Sequence, residues 1–342
     1  MIAFLIVSAL ILILSQNIVL KKSLDKVDYK SEISKKLVAP GEIFEIIVTI
    51  TNNSKFFIPF IRIEQMLPKE IELYDNEKRY VNLDNKISIK STTFMMPRSK
   101  IVRRMKASLP TRGSYYLNET TLHGGDFLGI KERPKVYRFL NEVVVYPKKT
   151  NERELELMSR GILGEISVKR FMIEDPLLTI GFREYSGREP MKHIDWNQSA
   201  KNNELIVKQF DYTIDPSVTV VLDVSEKMEK DKKEVLFSLT RTVTEQLTNL
   251  KIKFSFLTNA TILNKWYYII EKSGSEHLNT ILDLLGRATH SYSLSFEELI
   301  KDAVGKEIEE NSLVVLITSK SEASLQEEIN FLKTKRIQIY LV

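Results

Sequence analysis

The chain opens on an uninterrupted apolar run. Met1 to Leu20, MIAFLIVSALILILSQNIVL, holds no charged side chain and gives way to Lys21 and Lys22. As a helix rising about 1.5 Å per residue it would be roughly 30 Å long, the thickness of a bilayer's hydrocarbon core, so the pattern predicts a transmembrane anchor over 1–22. A cleaved signal peptide is the alternative, but no basic residue precedes the run and no small-x-small site closes it. Lys21, Lys22, Lys26 and Lys30 follow it directly. The positive-inside tendency then makes the expectation a single-pass protein of the cell membrane with its body in the cytoplasm.

From 31 to 149 the pattern turns to short extended runs separated by turn residues. Glu42 to Thr51 (EIFEIIVTIT) is rich in β-branched and aromatic residues, entered through Ala39-Pro40-Gly41 and left through Asn52-Asn53-Ser54. Lys86 to Met95, Lys100 to Leu109, Ser114 to Leu122 and Glu142 to Tyr146 repeat the theme. Such spacing predicts an all-β, antiparallel sandwich of immunoglobulin-like type.

Beyond 211 strands alternate with helices. Val218 to Leu222 and Leu313 to Thr318 read as fully buried strands, and Ile252 to Leu257, Trp266 to Ile270 and Gln338 to Val342 as further ones. Glu234 to Leu250 carries Val235, Leu239, Val243 and Leu247 four apart, a helical stripe, and Glu276 to Leu285, Phe296 to Ile308 and Leu325 to Lys333 are helical too. The prediction for 212–342 is an α/β domain on an open parallel sheet, with 150–211 connecting it to the sandwich.

Composition narrows the chemistry. The 342 residues are 43% hydrophobic and contain no cysteine, which removes disulfides, thiolate metal sites and cysteine nucleophiles. A net charge of +5 is dispersed among acids rather than gathered into a basic stripe with aromatics, so no nucleic acid is expected. No Walker loop appears, and His123, His193, His277 and His290 lack metal-ligand spacing. His193, Asp195 and Ser199 could suggest a hydrolase triad, but they are local in sequence and have no nucleophile elbow. No enzyme is expected.

Ligands of open parallel sheets gather at the carboxyl ends of the strands. There Asp223-Val224-Ser225-Glu226-Lys227 resembles the metal-ion-dependent adhesion motif of von Willebrand A domains, which implies that type of fold and an Asp with two Ser ligating a divalent cation. Asp223 and Ser225 match, but the third position is Lys227, which offers no lone pair, and Ser319-Lys320 stands where an Asp is expected. Thr289 or Ser293 would supply the loop hydroxyl. Three readings stand side by side: Mg²⁺ at a degenerate site, Asp223 and Ser225 capping the next helix, or Lys227 as a fixed charge replacing the cation.

The stretch between the domains carries the densest signature. Arg183-Glu184-Tyr185, Gly187, His193-Ile194-Asp195-Trp196, Ser199-Ala200-Lys201 and Leu205 to Phe210 strongly resemble the domain of unknown function 58 family, with Arg112-Gly113, Asp126 to Ile130 and Val144 to Pro147 resembling its approach. The chain departs from that family at Gly187-Arg188 and Lys192, and shows one apolar span where two are common. The resemblance implies a membrane-anchored protein with a von Willebrand A-like C-terminal domain, often encoded beside MoxR-type AAA+ ATPases. Physically, Gly187 and Pro190 set a turn, Trp196 buries a large ring, and Arg183, Asp195 and Lys201 make charged hydrogen bonds. With Tyr185 and Ser199 they form either an interdomain clasp or a partner-binding surface. The expected function is a non-enzymatic adaptor that recruits a protein, a MoxR-type ATPase being the candidate. A cation-dependent adhesion module is the alternative.

Overall fold

The computed structural model describes residues 24–74, 80–83, 86–125, 131–150, 153, 161, 164, 175–211, 217–224, 228–262, 265–304, 306–308 and 312–342. The chain divides into two units, Met1–Lys148 and Lys149–Val342.

In the first unit, β1 (Val27–Ile33), β3 (Phe44–Asn52), β8 (Lys100–Ser108) and β5 (Glu72–Leu73) make a four-stranded sheet in the order β1-β3-β8-β5. β2 (Leu37–Val38), β10 (Glu132–Val145), β9 (Gly113–Gly125), β4 (Ile58–Pro68), β7 (Lys86–Met95) and β6 (Tyr80–Leu83) make a second, in the order β2-β10-β9-β4-β7-β6. Alternation along β3 turns Phe44, Ile46, Val48 and Ile50 inward against Ile61, Ile63, Leu117 and Leu122 of the other sheet. Each such side chain contributes about 1.5–3 kcal/mol on burial. The sandwich is not wholly antiparallel, because β2 runs parallel to β10.

β1 is clipped to the opposite sheet by side chains. The Tyr29 hydroxyl lies 2.9 Å from Thr120 Oγ1 and accepts from Gln65 Nε2 at 3.3 Å. Burial pushes that phenol's pKa up. Lys135 Nζ donates to Leu24 O and Val27 O, the Tyr137 hydroxyl to Val27 O, and Asn141 Nδ2 to Ser31 O.

The second unit holds a hairpin, β11 (Asp175–Glu184) with β12 (Ile206–Asp211), and between its strands a 3₁₀ turn (Met191–His193) and helix α1 (Trp196–Asn202). Its sheet runs β15 (Lys265–Lys272), β14 (Phe254–Ile262), β13 (Val218–Leu222), β16 (Leu313–Ile317), β17 (Gln338–Leu341). Val218, Val220 and Leu222 face α2 (Lys230–Asn249) and α3 (Ser275–Arg287), while Val221, Val314 and Leu316 face α4 (Phe296–Ala303) and α5 (Gln326–Thr334). With both faces covered, β13 and β16 are buried at all five positions rather than alternately, and all but Thr219 are apolar. The buried positions of α2 include Leu236, Leu239, Val243 and Leu247, with Val235 only half-buried; Thr240 and Thr244 lie among them, their hydroxyls bonded back to Leu236 O and Thr240 O.

The expected fold, a transmembrane helix followed by a sandwich and an open parallel sheet of von Willebrand A type, is corrected here. The described residues are mostly β-sheet, and no described helix is long and apolar enough to cross a membrane. Met1 to Leu20 lies outside the described residues. The five-stranded sheet is mixed, because only two residues separate Ile262 from Lys265. A connection that short makes a hairpin, so β15 is antiparallel to β14.

Candidate functional site

Two places concentrate polar chemistry in the second unit. The first is the turn and cap between β11 and β12. Antiparallel pairing sets Arg183 opposite Val207 and Glu184 opposite Ile206, and Tyr185 N then donates to Leu205 O at 2.8 Å. Gly187, at φ +85°, supplies the left-handed turn; no atom crowds a Cβ there, so its requirement is conformational. Glu189 ties the turn together, accepting from Ser186 Oγ at 2.7 Å and Ser186 N at 3.0 Å, with Arg183 Nη1 at 2.6 Å. The Ser186 hydroxyl foremost, with help from Arg183, pulls this carboxyl down to about 2.

Asp195 caps α1. Its Oδ1 accepts from Asn197 N at 3.0 Å and Gln198 N at 3.1 Å, and Lys208 Nζ lies 3.7 Å from Oδ2. Buried Ser199 joins helix to strand: its hydroxyl donates to Asp195 O at 2.8 Å and accepts from Ile206 N at 2.9 Å. His193, Asp195 and Ser199 are therefore not a triad, since carboxylate and hydroxyl are both spent on backbone groups. The structure brings Arg183, Tyr185, Gly187, Asp195 and Ser199 into one hydrogen-bonded frame. It does not bury Trp196, which is 60% exposed, and Lys201 is exposed as well. The helix docks on β12 through Ser199, which leaves the indole outside. Arg183 pairs with Glu189 rather than with Asp195.

The second place is the carboxyl end of β13. Asp223 is 1% exposed, and its backbone N donates to Ile317 O. Oδ1 accepts from Asn259 Nδ2 at 2.9 Å; Oδ2 accepts from Thr318 Oγ1 at 3.0 Å and Lys320 Nζ at 2.9 Å. Asn259 also accepts from Val224 N at 2.8 Å and donates toward Leu294 O at 3.3 Å. Thr289 and Ser293 turn their hydroxyls onto the backbone oxygens of Thr261 and Asn259, away from any ligand role. Lys320 Nζ also lies 5.0 Å from the Phe296 ring centroid.

These residues do not fit a divalent cation. An ion would need to stand about 2.0–2.6 Å from the Asp223 oxygens, against an ammonium already bonded there. Among the described residues no three His, Asp or Glu side chains gather as a metal-holding group. Ser225 and Lys227 lie outside the described residues, so the fixed positive charge seen beside Asp223 is Lys320's. Sequence reading misses Asn259 and Glu189. The spacing Ser186-x-x-Glu189, which lets a carboxylate return to a turn's hydroxyl, is a signal that could have found the latter.

Comparison with known proteins bears on this same region. Residues 181–339 match the model of a family described as protein of unknown function DUF58, which takes in the capped turn and the five-stranded sheet. Residues 181–339 belong to the DUF58 family. The uncharacterized protein YeaD of Bacillus subtilis (strain 168) is 22% identical over 218 residues, covering 62% of this chain and 50% of YeaD. The chain thus spans about half the length of that relative. Among solved structures, a CARDB domain from Pyrococcus furiosus is 15% identical, covering 35% of this chain and 90% of the domain at a TM-score of 0.23. A type II cohesin domain from the cellulosome of Acetivibrio cellulolyticus is 10% identical, covering 35% and 95% at a TM-score of 0.27.

Proposed function

We propose that this DUF58 protein is a non-enzymatic adaptor that engages a protein partner through the capped turn around Trp196. The observation that carries the reading is the contrast between frame and side chain. Asp195, Ser199 and Glu189 fix the backbone with buried and charge-assisted hydrogen bonds, yet the indole stands 60% exposed. Phe182, Met191 and Leu205, in the same hairpin and turn, are exposed too. A rigid frame presenting a large amphipathic ring lowers the ordering cost of association, and Trp is enriched among residues that dominate interfaces. Asp223 bound to Lys320 favours an adaptor over a cation-dependent adhesion module, because the acid's oxygens already have partners.

The partner to test first is a MoxR-type AAA+ ATPase. Calorimetric titration of the purified ATPase with the full chain and with Trp196→Ala measures it. The variant is expected to melt within about 1 °C of the parent and to bind about thirtyfold more weakly. No binding by the parent chain removes the ATPase, and equal binding by the variant removes Trp196.

A further inference from the structure

At one end of the sandwich two turns meet beside the point where the chain enters the fold. The β3–β4 turn, Asn53 to Phe57, and the β7–β8 turn, Met96 to Ser99, are bracketed by Asn52. Its side chain is fully buried, and Nδ2 donates to Phe56 O at 3.0 Å and Met96 O at 2.9 Å, while Oδ1 accepts from Ser54 N and Ser54 Oγ. Arg98 N closes the pair by donating to Ser54 O at 3.1 Å. What this bracket holds outward is apolar: Phe56, Phe57, Phe94 and Met96 are 38–55% exposed, and the Phe57 and Phe94 rings lie 6.1 Å apart.

Three of these exposed apolar side chains stand on turns bracketed by a buried polar residue and the fourth, Phe94, on the adjoining end of β7, so the patch is not an accident of a soft loop, and such patches mark interaction sites. Around them stand the exposed cations Lys26, Lys55, Arg98 and Lys100. Among the described residues, Asp25 pairs with Arg133 at 3.1 Å, and Asp28 accepts from the Asn53 side-chain amide. Asn53 N also donates to Lys26 O, so residues 24–26 lie at this end. In sequence, the charge-free run Met1 to Leu20 with Lys21 and Lys22 precedes Leu24. An apolar tip ringed by cations, preceded in sequence by an apolar run, has the chemistry of an anionic lipid surface, where aromatic groups enter the acyl boundary and Lys and Arg meet the headgroups.

We infer that this tip docks on an anionic lipid bilayer, with Phe56, Phe57, Phe94 and Met96 entering the interface and Lys26, Lys55, Arg98 and Lys100 facing the headgroups. The inference does not depend on the role of Trp196.

Because the chain has no cysteine, a single introduced thiol can be labelled uniquely. Phe57→Cys and Phe94→Cys, with Glu70→Cys at the opposite end of the sandwich as control, are made in the full chain and carry a polarity-sensitive fluorophore. Each is mixed with phosphatidylcholine vesicles with or without phosphatidylserine. The inference expects a blue shift at positions 57 and 94 with phosphatidylserine vesicles, none at 70, and loss of the shift as salt is raised. No shift at 57 and 94 on vesicles that bind the protein overturns it, as does an equal shift at 70 or an equal response to phosphatidylcholine alone. In a second arm, Phe57→Ser with Phe94→Ser should keep the parent melting temperature. With the label moved to Met96→Cys, this variant should need on the order of tenfold more phosphatidylserine lipid for the same shift. An unchanged lipid requirement would likewise refute it.

Discussion

Replacing Lys320 by Met keeps most of the side chain's length and removes its charge, leaving the Asp223 carboxylate with Asn259 and Thr318 alone. Deleting one partner of a fully buried ion pair costs about 3–5 kcal/mol. Asp223 is 1% exposed, but the Lys320 side chain is 31% exposed, so water already screens part of the interaction. The expected loss is about 2 kcal/mol. For a unit the size of Lys149–Val342, that corresponds to a melting temperature lower by about 4–8 °C. The assay is thermal and urea unfolding of the parent, Lys320→Met, Asp223→Asn and the double variant. Asp223→Asn with Lys320→Met removes both charges together, so the double-mutant cycle should show a coupling of about 2 kcal/mol. Mg²⁺ should leave the parent's melting temperature unchanged, because its counter-charge is internal. A Lys320→Met protein melting within about 1 °C of the parent, strict additivity in the cycle, or a Mg²⁺-dependent rise in the parent would each refute the reasoning.

The capped turn gives two further predictions. The Glu189 carboxyl is held below its ordinary value of 4.5, at about 2, so its contribution is present above pH 4.5 and is lost as pH falls toward 2. Protection of the turn's amides against hydrogen exchange should fall across that window in the parent, and Glu189→Gln should flatten the dependence. Ser199→Ala deprives Ile206 N of its acceptor and should cost about 1–2 kcal/mol in urea unfolding, whereas Ser199→Thr, which keeps the hydroxyl, should recover part of this.

Some of this architecture is legible in the sequence and some is not, for physical reasons. Val218–Leu222 and Leu313–Ile317 can be read directly, because burial on both faces makes every position but Thr219 apolar. β4 is harder: Pro59 and Pro68 read as turn residues although both fall within the strand. β1 (VDYKSEI) buries only Val27 and carries three charged side chains, so its membership depends on pairing with β3. At the site, Asp223 stands out as an acid directly after a buried strand. Its partners Asn259, Thr318 and Lys320 come from two other parts of the chain, and only the parallel register of β13 with β14 and β16 gathers them. Trp196 shows the reverse failure. Its residue type suggests burial, but the hydroxyl of Ser199 decides which side of α1 docks on β12.

The side-chain clips on β1 give the sandwich a mechanical character. β1 starts, and β10 starts, at the end where residues 24–26 lie; β10 finishes at the far end, near Lys148. A pull between Leu24 and Lys148 would therefore draw the two strands past each other lengthwise. Lys135, Tyr137 and Asn141 would resist together rather than peel away in turn, and the seven registered pairs between β1 and β3 would carry load alongside them. Tension arriving from the amino-terminal side is thus shared across both sheets before any single strand can be stripped from the fold.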